Sequence, residues 1–249
     1  MVSAHLTAAW AMSVAREILP QRYPGATAAL LAGSAARGAS TPTSDIDLVV
    51  LFPHLEAGSR QSFVHEGAAF EAFVHDPQTL RWFFRSDIDR GRPVLLRMVA
   101  EGRPFGPDPA AFAPLQAEAQ TLLAKGPAPL TGQALDLARY ELTEKLDDLR
   151  DVIDAAELQS LGAALYVRLT ELVLLGRGRW IGAGKWTPRL LAEADPLLAR
   201  ETADAFDRLF RLGDTAGVLT LGDAELDRLG GRLFDGFERR ARSDQRKGD

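Results

Sequence analysis

The segment LLAGSAARGASTPTSDIDLVVLF, residues 30–52, decides the fold of the first half of this chain. It starts as an apolar strand, passes through a Gly-Ser pair and a short Ala-rich stretch, and ends in a second apolar strand. Alternate side chains of a strand point to the same face, so we expect Asp45 and Asp47 to project side by side while Ile46 enters the core. Two carboxylates that converge in this way can hold a hard divalent cation.

The Gly33-Ser34 pair directly follows the first strand and precedes a predicted short helix. Gly33 allows the backbone to approach a phosphate closely, Ser34 offers a hydroxyl group, and a helix N-terminus offers unpaired N–H groups. The segment matches neither the Walker pattern nor the Gly-x-Gly-x-x-Gly pattern. Together with the Asp-x-Asp strand, it predicts a triphosphate-binding bend beside a metal site.

The tetrapeptide Ser-Asp-Ile-Asp occurs a second time at residues 86–89, where the surrounding apolar residues keep helical spacing. Residues two apart on a helix lie about 200° apart around its axis, so Asp87 and Asp89 are expected to diverge. Arginines are close in sequence and offer ion-pair partners. We therefore expect the second copy to be a solvated, charged helix end and not a metal site.

The composition is that of an ordinary globular chain, with 249 residues, 46% hydrophobic and 25% charged residues. The chain has no cysteine, which excludes disulfides, thiol catalysis and zinc–thiolate sites. A net charge of −5 argues against nucleic acid as the substrate. The N-terminus is expected to be an amphipathic helix and not a signal peptide, and no run is expected to cross a bilayer. A cytoplasmic location without membrane contact is the expectation.

The pattern along the chain predicts an α+β fold in two domains. Four strand-like segments and several helices fill the first half, and two segments rich in Pro and Gly follow, at residues 102–115 and 126–132. Beyond them the apolar residues keep helical spacing, which predicts an all-α helical bundle. We expect domains at residues 1–115 and 116–249.

The order Gly-Ser, ten residues, then Asp-apolar-Asp-apolar resembles the signature of the polymerase-β-type nucleotidyltransferase superfamily. The resemblance implies a small mixed β-sheet with flanking helices in the first domain. It also implies a third carboxylate on a neighbouring strand, for which Glu71 in AAFEAFVHD is the best match. Glu71 would share a face with Phe73 and His75; alternatively, it is an acidic residue on the wet face of an edge strand.

The resemblance further implies transfer of a nucleoside monophosphate from a nucleoside triphosphate, ATP by preference, with two Mg²⁺ ions. The implied catalytic residues and metal ligands are Asp45, Asp47 and Glu71. Glu71 would either bind the second metal ion or act as general base. The implied nucleotide-binding residues are Gly33, Ser34, Arg37, Ser44 and Lys185. For Arg37 a salt bridge within the domain is the alternative, and for the Lys185 loop the alternative is ordinary loop packing.

The helical second domain resembles that of aminoglycoside nucleotidyltransferases and would bind the acceptor, a small molecule with a hydroxyl group for which the resemblance suggests an aminoglycoside-like antibiotic. One helix carries acidic residues that could attract a cationic acceptor or form a solvated charged face: Glu141, Glu144, Asp147, Asp148 and Asp151. Two other functions stay open. The chain could be a protein adenylyltransferase acting on a partner protein, or a non-catalytic nucleotide-binding module, against which the three retained carboxylates argue.

Overall fold

The computed structural model describes residues 7–41 and 43–239, which divide into two units between Pro127 and Ala128. The division falls later than the predicted boundary at residues 115/116. The reason is a helix at Ala113–Lys125 that packs against the preceding helix of the first unit. The predicted α+β class is confirmed, since a mixed sheet with helices forms the first unit and helices form the second.

A five-stranded sheet forms the centre of the first unit. Its strands are β1 (Ala28–Ala32), β2 (Ile46–Leu51), β3 (Ser59–His65), β4 (Ala68–His75) and β5 (Arg103–Phe105). Their order is β3-β4-β2-β1-β5, and β2 and β4 run parallel while the other neighbours are antiparallel. The strands β1 and β2 therefore lie inside the sheet, and the short β5, which the sequence did not predict, closes one edge.

Five helices accompany the sheet: α1 (Ala8–Arg22), α2 (Gly33–Ala36), α3 (Pro77–Asp89), α4 (Val94–Glu101) and α5 (Ala113–Lys125). One face of the sheet packs against α1, where Val14 and Ile18 join Leu31 and Val50 in a core cluster. Helix α4 contacts β1, and α3 contacts β4. Leu30 and Leu31 are neighbours on β1, so their side chains point to opposite faces of the sheet. The Leu30 side chain lies close to Gly102 at the end of α4, which puts α4 on the face opposite to α1.

Asp76 fixes the connection from β4 to α3. It is 3% exposed, and its carboxylate accepts hydrogen bonds from the backbone N–H groups of Thr79, at 2.7 Å, and Leu55, at 3.0 Å. The Thr79 hydroxyl in turn accepts from the Asp76 backbone N–H at 3.0 Å, which completes a capping box. Helix α3 consequently starts at a defined point directly after the strand that carries Glu71.

The second Ser-Asp-Ile-Asp copy differs from the expectation of a solvated helix end. Asp87 is 1% exposed and accepts hydrogen bonds from the Leu96 backbone N–H, at 3.0 Å, and from Arg90, at 3.1 Å. It satisfies N–H groups in the first turn of α4, whose preceding residue is Pro93 and supplies no side-chain cap. Asp89 is exposed, so the two aspartates diverge as the helical spacing predicts.

Five helices form the second unit: α6 (Gly132–Asp151), α7 (Ala155–Leu175), α8 (Trp186–Ala194), α9 (Pro196–Leu212) and α10 (Ala216–Arg228). Among residues 128–239 the structure has helices and no strand, as predicted. The helices share an apolar core that includes Leu146, Leu169, Leu209 and Leu226, each at most 1% exposed.

Helix α7 departs from the expectation that no segment is long enough to cross a bilayer. It has 21 residues, and an 18-residue window within it has a mean hydropathy of 1.3, so by length and composition alone it could span a membrane. The core helix of a bundle has the same properties, and α7 supplies Leu165, Leu169, Leu172 and Val173 to the core of its own unit.

Candidate active site

Three carboxylates converge at one edge of the central strands. Asp45 lies directly before β2, Asp47 lies on β2, and Glu71 lies opposite Asp47 in the parallel pairing of β2 with β4. One oxygen from each residue lies within 4.8 Å of the other two. Among the residues that the structure describes, this is the one group of three that could hold a metal ion. The structure thus brings together the three residues predicted from the sequence.

The electrostatics of the cluster favour a bound cation. Burial, and then the neighbouring charges of Asp45 and Glu71, raise the pKa of Asp47 to about 7, although Arg37 and Arg60 act in the opposite direction. Three carboxylates at this distance repel one another, and a divalent cation would replace that repulsion by attraction. Oxygen donors of this kind suit Mg²⁺, which takes one or two protein carboxylates and completes its octahedral shell with phosphate oxygens and water.

The Gly-Ser bend lies next to the cluster because β1 and β2 are paired. Ala32, the last residue of β1, is the register partner of Asp47, and Gly33 follows with a φ of +63°. This left-handed conformation favours glycine. Ser34 is half-buried, and its carbonyl oxygen accepts a hydrogen bond from the Ala39 backbone N–H at 2.9 Å. The bend is therefore a closed local turn at the end of an inner strand.

The two other nucleotide-binding candidates of the first unit have partners in the protein. Arg37 forms an ion pair with Glu101 at 3.1 Å, which is the alternative that the sequence left open, yet its charge also acts on Asp47. Ser44 accepts a hydrogen bond from the Thr41 backbone N–H at 2.9 Å and lies 3.0 Å from the Thr41 hydroxyl. Ser44 thereby shapes the loop that leads into Asp45.

Arg60 is a site residue that the sequence did not predict. Its guanidinium lies 2.6 Å from the Glu71 carboxylate and 5.3 Å from the centre of the Phe73 ring. It comes from β3, whose pairing with β4 puts Arg60 opposite Phe73. The same pairing excludes the edge-strand alternative for Glu71, because β4 lies between β3 and β2.

Lys185 lies in the second unit, where it is exposed at the residue before α8. The adjoining loop is packed locally: the Thr187 hydroxyl donates to the Gly182 carbonyl at 3.2 Å, and Arg189 lies 5.5 Å from the centre of the Trp186 ring. The helix begins at Trp186, and Thr187 lies in its first turn. A role of Lys185 in nucleotide binding stays a prediction.

Three of the five acidic residues of α6 have partners within their own unit. Asp147 accepts hydrogen bonds from Arg150, at 2.6 Å, and Arg232, at 2.5 Å. Glu141 forms an ion pair with Arg168 at 3.3 Å, and Tyr140 donates its hydroxyl to Glu144. These pairs favour the interpretation of a solvated charged face over that of a cation-binding surface.

One known protein family matches the part of the chain that contains the sheet. Residues 12–105 match the family model of the nucleotidyltransferase domain. The match confirms the resemblance to the polymerase-β-type nucleotidyltransferase superfamily over these residues, and the resemblance of the second domain to aminoglycoside nucleotidyltransferases stays a prediction.

Two further comparisons concern the whole chain. A nucleotidyltransferase-like protein from Exiguobacterium sibiricum, known from a crystal structure, shares 14% identity with this chain at a TM-score of 0.44. The similarity covers 88% of this chain and 74% of that one. No curated protein matches the chain.

Proposed function

We propose that this protein transfers a nucleoside monophosphate from a nucleoside triphosphate, ATP by preference, to a hydroxyl group of a small molecule. The observation that carries the proposal is the convergence of Asp45, Asp47 and Glu71 within 4.8 Å, next to the Gly33 bend. The match of residues 12–105 to the nucleotidyltransferase domain supports nucleotidyl transfer as the reaction class.

The carboxylates of Asp45, Asp47 and Glu71 would hold two Mg²⁺ ions. When bound, such ions stabilise the charge on the attacking and leaving oxygens of an in-line displacement. The donor set fits this ion because it consists of oxygen atoms alone and is already brought together by strand pairing.

The other residues of the site would position the nucleotide and the acceptor. Gly33 and Ser34 would bind the β- and γ-phosphates through backbone N–H groups and a hydroxyl, and Arg37 would add positive charge. Ser44 would support the loop before Asp45, and Lys185 is a further candidate for binding the triphosphate. Glu71, if it is not saturated by metal, would accept the proton of the attacking hydroxyl, which needs an approach to about 3 Å.

Labelled nucleotide tests the proposal and separates it from its alternatives. The protein is incubated with Mg²⁺ and NTPs labelled at the α-phosphate, together with a panel of hydroxyl compounds and protein extracts. Label on a small molecule, with release of pyrophosphate, supports the proposal. Label on a protein would favour the protein adenylyltransferase, and nucleotide binding without transfer would favour the non-catalytic module.

Asp47→Asn provides the control for the site, and Asp89→Asn is its matched counterpart because Asp89 is an exposed aspartate on α3. We expect Asp47→Asn to lose transfer by about 10³-fold or more, since a metal ligand is removed, and Asp89→Asn to keep it. Equal transfer by both variants would reject the assignment of the site.

A further inference from the structure

A cavity of about 300 Å³ opens in the first unit between the sheet and the helices α3 and α4. We call it the ring cavity; the residues that give it its chemical character are Arg60, Phe73, His75, Phe83, Asp87 and Arg90. Its size is at the lower end of that of small-molecule sites. The ring cavity borders the acidic cluster at Arg60, which lines the cavity and forms an ion pair with Glu71 of the cluster.

The inner wall of the ring cavity suits a flat apolar group. Phe73 and His75 project from β4 on the face that carries Glu71, and His75 lies edge-on to Phe83 with ring centres 4.9 Å apart. His75 is 2% exposed, and burial lowers its pKa to about 4, so the ring is neutral near pH 7. Aromatic walls of this kind stack on or pack edge-on against a planar ligand.

The rim of the ring cavity suits an acidic group. The side chains of Arg60 and Arg90 are 63% and 58% exposed. Each forms one ion pair, with Glu71 and Asp87 respectively. A guanidinium has five N–H donors in a fixed fork, so both arginines keep donors for a carboxylate of a ligand.

The order of strands places the Gly33 bend and the ring cavity on opposite sides of the carboxylates. The Gly33 bend follows β1, the carboxylates lie on β2 and β4, and the ring cavity lies at β4 and β3. In-line transfer requires the leaving pyrophosphate and the attacking oxygen on opposite sides of the α-phosphorus. With phosphates at the bend, the acceptor approaches from the β3 side. Along β4, Glu71 and Phe73 are about 7 Å apart, within the length of one small molecule.

We propose that the ring cavity binds the acceptor, and that this acceptor is a small aromatic hydroxy compound carrying a carboxylate or a similar acidic group. The assignment rests on the proposed function. In the reaction, the hydroxyl oxygen of the acceptor forms a bond to the α-phosphorus, and the bond from that phosphorus to the bridging oxygen breaks. Pyrophosphate leaves with the electron pair, and the hydroxyl proton passes to the Glu71 carboxylate.

This assignment departs from a cationic aminoglycoside as acceptor. The N–H donors that Arg60 and Arg90 keep at the rim can bind a carboxylate, whereas an ammonium group offers them no acceptor. Of the five acidic residues of α6 that suggested a cationic acceptor, Asp147 and Glu141 are paired with arginines of their own unit.

Binding is tested on the full chain by calorimetry, in the absence of nucleotide and metal. The probe is 4-hydroxybenzoate, and the comparators are 4-hydroxybenzyl alcohol, which is neutral, and 4-hydroxybenzylamine, which is cationic. We expect 4-hydroxybenzoate to bind at least about tenfold more tightly than either comparator, because only the anion forms charge-assisted hydrogen bonds with the arginines.

Variants locate the bound probe. Arg90→Ala is expected to lower the affinity for 4-hydroxybenzoate about tenfold. Phe83→Leu keeps apolar volume but removes the ring, and it is expected to lower the affinity several-fold. Arg85→Ala is the matched control, since Arg85 is an exposed arginine on α3, the helix that ends just before Arg90, and does not line the ring cavity. It should bind the probe as the unchanged protein does. The three-ligand comparison stands without any variant, should Arg90→Ala fold poorly.

Several results would overturn the assignment: equal binding of the three ligands, a preference for the amine, or unchanged affinity in both Arg90→Ala and Phe83→Leu. Displacement of the probe by adenosine would assign the ring cavity to the nucleobase instead. Addition of Mg²⁺ and labelled ATP separates the two proposals. If the probe binds as expected and no acceptor is ever labelled, the proposed function fails and the ring cavity stands as a binding site; labelling of an aminoglycoside instead overturns the acceptor class alone.

Discussion

The carboxylate of Asp47 occupies the space in which any residue other than glycine at position 33 would carry its side chain. A Cβ atom on Gly33 would lie 1.8 Å from Oδ2 of Asp47. Two non-bonded atoms cannot approach so closely, so one of the two residues would have to move. The bend and β2 are therefore in direct van der Waals contact. The two halves of the sequence signature form one structural unit, in which a change to either half displaces the other.

Gly33→Ala is predicted to disrupt nucleotide binding. Gly38→Ala is the matched control, because Gly38 also has a positive φ, +68°, and a Cβ atom there would meet nothing within 4 Å. Both variants introduce backbone strain of about 1–2 kcal/mol, and only Gly33→Ala also displaces Asp47. We expect calorimetric titration with Mg²⁺ and a non-hydrolysable ATP analogue to show a loss of at least about tenfold for Gly33→Ala and little change for Gly38→Ala. Equal affinities in the two variants would show that the contact with Asp47 has no functional consequence.

Asp47→Asn is predicted to stabilise the metal-free protein while removing its response to Mg²⁺. Removing one of three mutually repelling carboxylates should raise the free energy of unfolding at pH 8 in EDTA by about 1–3 kcal/mol. In the unchanged protein, Mg²⁺ at ten times its dissociation constant should raise the free energy of unfolding by about 1.4 kcal/mol. In Asp47→Asn, Mg²⁺ should not change the free energy of unfolding. Thermal unfolding with and without Mg²⁺ measures both effects, and Asp89→Asn should behave as the unchanged protein. A variant that still gains stability from Mg²⁺ would contradict the metal site.

Asp76 is predicted to contribute a pH-dependent part of the stability. Burial alone would raise its pKa, but the hydrogen bonds from Thr79 and Leu55 outweigh burial and hold the pKa below its ordinary value. A carboxyl with a lowered folded-state pKa stabilises the fold above the unfolded-state pKa, about 3.9, and loses this contribution as the pH falls through the folded-state pKa.

Asp76→Asn keeps an acceptor for the helix cap but loses the charge. Near pH 7 we expect its free energy of unfolding to be about 1 kcal/mol lower than that of the unchanged protein. This difference should disappear as the pH falls below about 4. Denaturant unfolding across this pH range measures the difference, and Asp108→Asn, at an exposed aspartate, serves as control. A difference that stays constant with pH would assign the effect to packing and not to charge.

Asp87 is predicted to act structurally through the first turn of α4. Asp87→Ala leaves the Leu96 backbone N–H without its acceptor, at an expected cost of about 1–3 kcal/mol, whereas Asp89→Ala should change stability by no more than about 0.5 kcal/mol. Hydrogen exchange measures the effect locally, because protection of the Leu96 amide should fall in the first variant only. Unchanged protection in Asp87→Ala would mean that the bond contributes nothing to closing the helix end.

The parts of the site that could be predicted from the sequence are those set by local geometry. The strand period places Asp47 on one face, a Gly-Ser pair after an apolar strand indicates a bend, and helical spacing separates Asp87 from Asp89. The third carboxylate, Glu71, came from the resemblance to a known family, and the parallel pairing of β2 with β4 puts it opposite Asp47.

The parts that could not be predicted depend on contacts between distant segments. Arg60 reaches Glu71 because of the register of β3 on β4, and nothing in the segment around Arg60 encodes that register. Burial of Asp87 depends on where α4 begins relative to α3, which the sequence does not show. Its charge therefore led to the prediction of a solvent-exposed side chain. The strand β5 has three residues in a segment rich in Pro and Gly, too short for a periodic signal.

The most direct test of the account is a crystal structure of the full chain with Mn²⁺ and a non-hydrolysable ATP analogue, in which anomalous scattering locates the metal. The account predicts metal within about 2.0–2.3 Å of carboxylate oxygens of Asp45 and Asp47, and the β- and γ-phosphates at the Gly33-Ser34 bend. Nucleotide bound elsewhere in the chain, or carboxylates without metal while the nucleotide is fully occupied, would contradict it.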